Sequence, residues 1–153
     1  MNVRIVVADE RHANFYDALS PQSPLTARGS LTNDKSGLRD IELETDRPGS
    51  RTGGSAGEGQ HHGVTGEKST AQHELTMFAK QVAKRIDADR AQNQFDRLVI
   101  VAGPKMLGLL RQSLPTPTQS LIAGEIAKDI IHQSQDVILK AIPAEAFETY
   151  RMQ

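Results

Sequence analysis

The segment at 95–111, FDRLVIVAGPKMLGLLR, constrains the fold of this chain more than any other stretch. Its apolar run at 98–102 is short, rich in β-branched residues and bounded by charge before and Gly-Pro after, which is typical of a strand buried on both faces. Gly103 gives the turn conformational freedom. Pro104 suits the first turn of a helix, where a residue without a backbone N–H loses no hydrogen bond. Apolar residues then recur at helical spacing, namely Met106, Leu107, Leu110 and Leu114. The segment predicts strand, tight turn and helix, which is half of a parallel α/β unit.

The chain before residue 69 predicts strands rather than helices. Apolar runs at 3–8 and 13–19 are followed by a turn with two Ser-Pro pairs, and a weaker candidate lies at 25–31. Residues 38–43 alternate imperfectly, so the pattern leaves open a strand or an extended approach to a loop. The first part of the chain therefore predicts a three-stranded meander.

A long amphipathic helix is predicted over about 70–89. Ser69 and Gln72 have the spacing of a capping box, and Glu74 lies in the first turn, where the helix dipole favours an acid. The apolar residues form one stripe along the helix, namely Leu75, Phe78, Ala79, Val82 and Ile86. We expect this stripe to pack on the sheet.

The remaining elements complete an α/β domain. A helix is predicted at 104–114, a strand at 121–127 and a helix at 131–142, which Pro143 ends. The order gives a mixed five-stranded sheet, a three-strand meander followed by two α/β crossovers, with helices on its faces. This is the arrangement of ribonuclease-H-like domains. The length of 153 residues fits a single domain over 1–153.

A glycine-rich loop interrupts this pattern. Residues 49–66 hold 7 of the 12 glycines and one apolar side chain larger than alanine, Val64. Such a stretch buries too little surface to offset its ordering entropy, so we expect a mobile loop at about 46–68. The pair Gly59-Gln60 lies within it. A bare backbone of this kind can enter a narrow site and bring N–H groups to a developing oxyanion, although a flexible linker explains the same glycines.

Composition excludes several classes of function. A net charge of −1 argues against a strongly cationic nucleic-acid binder, while leaving room for a local basic patch. The absence of cysteine rules out disulfides, thiolate chemistry and cysteine-based zinc sites. No apolar run approaches the ~20 residues that cross a bilayer, and the first ten residues lack the features of a signal peptide. We expect a cytoplasmic protein without membrane contact.

Metal-dependent and nucleophilic chemistry find little support. Asp9 ends the first strand, as a nuclease would need, but the central strand ends without a carboxylate to share a metal pair. His61, His62 and His73 have no metal-ligand spacing and are predicted to be solvated. No Gly-x-Ser-x-Gly elbow or Walker pattern occurs. We therefore predict no metal and no cofactor.

The pattern from VVADE through the glycine-rich loop to LVIVAGPKMLGLLR and IAGEIAKD resembles the bacterial host attachment protein family. That family looks like the middle domain of archaeal and eukaryotic class-I peptide release factors. In that domain a Gly-Gly-Gln loop precedes the first helix and enters the ribosomal peptidyl-transferase centre. Gly59 and Gln60 stand in the corresponding place, whereas the first glycine of the triplet is Glu58 here.

The resemblance implies a release-factor-like module that acts on the ribosome. Its activity would at most be ribosome-dependent peptidyl-tRNA hydrolysis or ribosome rescue, with Gly59 and Gln60 as catalytic residues and ribosomal RNA as the partner of the loop. Glu58 would lie desolvated beside RNA phosphates, which carries an energetic cost. Two alternatives stay open: a non-enzymatic protein-interaction domain with a role in attachment to host cells, and, third, a metal-dependent nuclease.

Overall fold

The computed structural model describes residues 1–33 and 63–148, and its sheet contains five strands. The strands are β1 (Val3–Ala8), β2 (His12–Ala18), β3 (Thr26–Thr32), β4 (Arg97–Ala102) and β5 (Ile122–Ala127). The helices are α1 (Gly63–Ala91), α2 (Pro104–Ser113), the short α3 (Thr116–Gln119), α4 (Gln135–Ala141) and a 3-10 helix at Ala144–Phe147. The predicted order of three strands, helix, strand, helix, strand and helix is confirmed.

The sheet has the spatial order β3-β2-β1-β4-β5. Pairing is antiparallel between β1 and β2 and between β2 and β3, so the first three strands form the predicted meander. It is parallel between β1 and β4 and between β4 and β5, as helical crossovers require. The prediction of a mixed α/β sheet with helices on its faces is confirmed, and the arrangement is compatible with a ribonuclease-H-like fold.

The central strands are covered on both faces, as their continuous apolar runs predict. On one face of β4, Leu98 and Ile100 pack in a cluster with α1 and α2. On the other face, Val99 and Val101 pack with residues of α4 and the 3-10 helix. Every residue of β1 and β4 is buried. The core therefore consists of two layers separated by the sheet.

The start of α1 differs from the prediction. The apolar stripe from Leu75 to Ile86 is buried as expected, but the helix begins at Gly63 rather than after Ser69. Ser69 therefore does not cap the helix, and the last part of the predicted loop, from Gly63 onward, is helical. The packed stripe nucleates the helix, and each further turn then adds hydrogen bonds without a new nucleation cost. These hydrogen bonds outweigh the weak helix propensity of Gly63 and Gly66.

The last helix is shorter than the predicted 131–142. It begins at Gln135 because the Ser134 hydroxyl accepts a hydrogen bond from the Val137 amide at 3.2 Å and caps the first turn. Ile131 is still buried, but it lies in the turn before the helix. The predicted helix is too long because the apolar spacing that begins at Ile131 continues across Ser134, the residue that caps the observed helix.

Some predictions fall outside the described residues. These are the candidate strand at 38–43 and the predicted glycine-rich loop as far as residue 62, including the pair Gly59-Gln60. Within the ranges that the structure does describe, no helix combines the length and apolarity needed to cross a membrane.

A buried arginine joins the first strand to the long helix. Arg4 is fully buried in β1, where its Nε donates to Asp17 of β2 and its Nη1 to Asp89 of α1, both at 2.6 Å. The guanidinium also lies 5.2 Å from the centroid of the Phe95 ring. Burial alone would lower the pKa of Arg4, but the hydrogen bonds to the two carboxylates outweigh it and raise the pKa above its ordinary value.

A second arginine extends this network to the edge of the sheet. Arg85 of α1 contacts Asp89 at 3.1 Å, donates to the backbone carbonyl of Arg28 at 2.9 Å and lies 4.6 Å from the centroid of the Phe15 ring. Gly29 has a φ of +130°, and a Cβ built there would come within 3.2 Å of the guanidinium. A glycine at this bulge therefore leaves room for the arginine that ties β3 to α1.

The end of α1 is also tied to α3. Asp87 accepts a hydrogen bond from the buried Thr118 hydroxyl at 2.5 Å, and Arg90 contacts both Thr118 and Asp87. The hydrogen bond from Thr118, followed by that from Arg90, lowers the pKa of Asp87. Ionised Asp87 therefore stabilises the folded protein at pH values above the pKa that Asp87 has in the unfolded chain. This stabilisation is lost as the pH falls through the lower pKa of Asp87 in the folded protein.

Replacing Arg4 by methionine tests the buried network. The Arg4→Met variant leaves Asp17 with Arg28 alone, at 3.3 Å, and Asp89 with Arg85 alone, at 3.1 Å. Because two charged hydrogen bonds are lost but neither carboxylate is left without a cation, we expect the free energy of unfolding to fall by about 2–3 kcal/mol. Urea denaturation followed by circular dichroism measures the change. Arg111→Met is the control, because Arg111 pairs with Glu125 at an exposed site and its loss should not move the midpoint measurably. Equal effects of the two variants would contradict the assigned role of Arg4.

Candidate functional site

The exposed face of α1 borders a groove of about 480 Å³. Asn33, which follows β3, lines one side, and residues from successive turns of α1 line the other, namely His73, Met77, Lys80, Gln81 and Lys84. Glu74 and Phe78 form its floor and are 9% and 1% exposed, whereas Met77 is 47% exposed. The groove therefore combines a basic rim, amide side chains and an apolar surface open to solvent.

The groove lies on the helix that follows the predicted catalytic pair. Gly59 and Gln60 lie outside the described residues, so their predicted catalytic role stays a prediction. In the sequence, only His61 and His62 separate Gln60 from the first residue of α1, Gly63. The helix has 29 residues and is about 44 Å long, and its stripe is packed on the sheet. In the sequence, two residues therefore separate the pair from a long helix whose later turns pack on the sheet.

A second cavity, of about 460 Å³, opens at the carboxyl ends of β1 and β4. Strands β1 and β4 are neighbours in the sheet, and the strands that follow them in the chain, β2 and β5, lie on opposite sides of this pair. The cavity therefore lies where the direction of the connections reverses. Open α/β sheets commonly bind ligands at such a point. The lining residues come from the turn after β1, from the start of α2 with the glycine before it, and from the connection after β5, namely Asp9, Glu10, Arg11, Gly103, Pro104, Lys105, Met106 and Asp129.

Asp9 has a structural role at this cavity. Its Oδ1 accepts hydrogen bonds from the backbone amides of Arg11 at 2.8 Å and His12 at 2.7 Å, which closes the turn between β1 and β2. The Nδ1 atom of His12 lies 3.7 Å from the same oxygen, and Nε2 of His132 lies 3.6 Å from Oδ2. One carboxylate thus holds a turn and lies beside two imidazoles.

Sequence reasoning missed the residues that surround Asp9. Asp129 and His132 lie in the connection after β5, and the parallel order of the strands brings that connection to the same edge. Their positions just after a predicted strand were the available signal. Across the described ranges, no three His, Asp or Glu side chains are placed to hold a metal ion. His73, predicted to be solvated, is exposed on α1.

The fold is shared with a solved structure. The chain is similar to an archaeal protein with a TM-score of 0.51 and 11% sequence identity, over 95% of this chain and 35% of the archaeal chain. At this identity the similarity concerns the fold alone. The chain thus corresponds to about a third of that larger protein.

Sequence comparisons assign the family. A family model described as "Protein required for attachment to host cells" matches residues 4–142, which is most of the chain, so this protein belongs to that family. An uncharacterized protein of Rickettsia prowazekii (strain Madrid E), RP470, is 35% identical over 66 residues, which cover 42% of this chain and 44% of the relative. The match spans less than half of that relative. The predicted family is confirmed, whereas the likeness to release factors stays a prediction.

Substitutions of Asp9 test its role in the turn. Asp9→Asn keeps an oxygen that accepts the two backbone amides, so we expect its stability to stay near that of the wild type. Asp9→Ala removes both hydrogen bonds and should lower the free energy of unfolding by about 1–2 kcal/mol. Chemical denaturation of the three proteins at pH 7 measures both effects. If Asn destabilised the protein as much as Ala, the charge beside His12 and His132 would matter more than the turn.

Proposed function

We propose that this protein is a ribosome-associated, release-factor-like module whose sequence carries Gly59-Gln60 shortly before α1. The observation that carries the proposal is the position of this pair, two residues ahead of a long helix whose other end is fixed to the sheet. A loop that enters a narrow catalytic centre needs a rigid support, because a small misplacement of a catalytic group costs much of its rate. The proposal includes a cytoplasmic location, where the ribosome is found.

The proposed reaction is hydrolysis of the ester bond of peptidyl-tRNA. Water attacks the ester carbonyl, and negative charge develops on its oxygen. The bond between the carbonyl carbon and the ribose oxygen then breaks, and a proton from the attacking water passes to that ribose oxygen, which leaves a free peptide carboxylate and a free tRNA. Backbone N–H groups of a glycine-rich loop can stabilise this oxyanion, and Gly59 allows the close approach that a side chain would block. Glu58 opposes the same step, since its carboxylate would be desolvated beside RNA phosphates. The proposed activity is therefore weak.

The family description favours a second candidate, a non-enzymatic protein-interaction domain with a role in attachment to host cells. The open groove on α1, which is lined by lysines, amide side chains and Met77, supports a binding role without chemistry. In this case the loop would serve as a linker or a contact segment, and neither Gly59 nor Gln60 would affect any rate.

Variants of the loop separate the two candidates. Stalled ribosomes that carry labelled peptidyl-tRNA are incubated with wild type, Gln60→Ala and Glu58→Gly, and release of the peptide is followed. Gln60→Ala keeps the backbone N–H group but removes the side-chain amide, which can also donate to the developing oxyanion. Loss of one such donor typically lowers a rate by about 10²–10³-fold, so this variant should lose most of the activity. Glu58→Gly restores the glycine triplet and removes a buried charge, so its rate should exceed that of the wild type.

Gln133→Ala is the matched control, because Gln133 is an exposed glutamine in the connection before α4. It should release peptide at the wild-type rate. If the wild type and both loop variants were equally inactive while their circular dichroism spectra showed an intact fold, the release-factor proposal would fail and the interaction domain would be favoured.

A further inference from the structure

The groove on α1 contains the side chains that nucleic-acid binding uses. His73 and Met77 offer a ring and an apolar surface on which a base can lie. Gln81 carries an exposed amide, a group that can pair with the edge of adenine, whereas the Asn33 amide already donates to the Glu10 carbonyl at 3.2 Å. The volume of about 480 Å³ lies within the range of small-ligand sites, so it has room for a base.

The groove is lined by two lysines and one carboxylate, that of the largely buried Glu74, so its charge is locally positive although the protein has a net charge of −1. Lys80 and Lys84 are exposed one helical turn apart, about 6 Å along the axis. Neither has an acidic partner in the part of the chain that the structure describes. In contrast, the acids nearer the end of α1 are engaged, since Asp89 pairs with Arg4 and Arg85. Two lysines are therefore available to bind anions beside the groove.

We propose that this groove binds a single strand of RNA. Lys80 and Lys84 contact successive phosphates, Met77 and His73 lie against a base, and the amide of Gln81 hydrogen-bonds its edge. An acidic peptide such as polyglutamate offers the same negative charge but no flat ring to lie against Met77 and His73, so it serves as the competitor in the test. The inference rests on the proposed function in one respect, because that function makes ribosomal RNA the source of the strand. RNA binding in the groove is nevertheless tested without ribosomes.

Neutralising the two lysines tests the phosphate contacts. Binding of a fluorescently labelled oligoadenylate is measured by anisotropy over a series of salt concentrations for wild type and for Lys80→Gln/Lys84→Gln. Each phosphate contact to a single strand contributes about 0.7 to the slope of log K against log salt, so the double variant should lose about 1.4 from the slope and bind more weakly. The control Lys128→Gln/Lys140→Gln has the same change of charge at exposed sites outside the groove, and it should keep the wild-type slope.

A third variant tests the base contact. Met77→Ser removes the exposed apolar side chain without a change in charge, so affinity should fall about equally at every salt concentration and the slope should stay unchanged. Stacking of a base on an aromatic ring is typically worth about 1–3 kcal/mol, and a methionine offers a smaller surface, so we expect a loss of about 3–5-fold. A wild-type affinity for Met77→Ser would overturn the placement of a base in the groove.

Two outcomes would overturn the inference as a whole. One is an unchanged slope in Lys80→Gln/Lys84→Gln, with the fold shown intact by circular dichroism. The other is displacement of the RNA by polyglutamate at an equal concentration of charge, which would assign the groove to an acidic protein. Peptide release on ribosomes reports separately on the proposed function. If the wild type releases peptide and the lysine variant binds RNA normally, only the groove inference is refuted. If the wild type binds RNA in the groove but releases no peptide, only the catalytic proposal is refuted.

Discussion

The fold depends on one buried cation, the guanidinium of Arg4. It lies in a strand whose other residues are all apolar, and it is satisfied by one carboxylate from the neighbouring strand and one from the long helix. A buried ion pair of this kind adds little net stability compared with apolar packing, but a structure that separates its members leaves a charge buried and unpaired. The network therefore selects one register of β1 against β2 and one position of α1 over the sheet.

The position of α1 determines what the rest of the surface can do. Near its carboxyl end, Asp89, Arg85 and Asp87 connect the helix to β1, to β3 and to α3. Toward its start, the same helix presents the groove lined by Lys80 and Lys84. The proposed catalytic pair precedes the first turn. Contacts that fix one end of a rigid helix thus orient the other end, where both proposals place RNA.

Local sequence predicted most of the fold because the short apolar runs of the central strands place apolar side chains on both faces of the sheet, and both faces must then be covered. The run at 98–102 is continuous and apolar, and the run at 3–8 is apolar apart from Arg4, so strands covered on both faces followed directly. The predictions failed where a local signal competed with another, as at Ser134, whose hydroxyl starts α4 later than the apolar spacing indicates. At Gly63 the packed stripe further along extended the helix against local propensity.

The candidate sites were harder to predict because they join distant parts of the chain. Arg4 and Asp89 are separated by most of the sequence, and no local pattern links them. Asp129 reaches the cavity beside Asp9 only through the order of the parallel strands. The groove on α1 had a readable signal in the turn-by-turn spacing of Met77, Lys80 and Lys84, but the end of β3 that completes it did not.

The most direct measurement of the central claim is an electron cryomicroscopy structure of this protein on ribosomes that carry peptidyl-tRNA. The account predicts the domain in the tRNA-binding cleft, with the start of α1 directed at the peptidyl-tRNA ester and the face of Lys80 and Lys84 against ribosomal RNA. A domain bound elsewhere on the ribosome, with α1 directed away from the peptidyl-transferase centre, would contradict it. So would the absence of bound protein at saturating concentration and low salt.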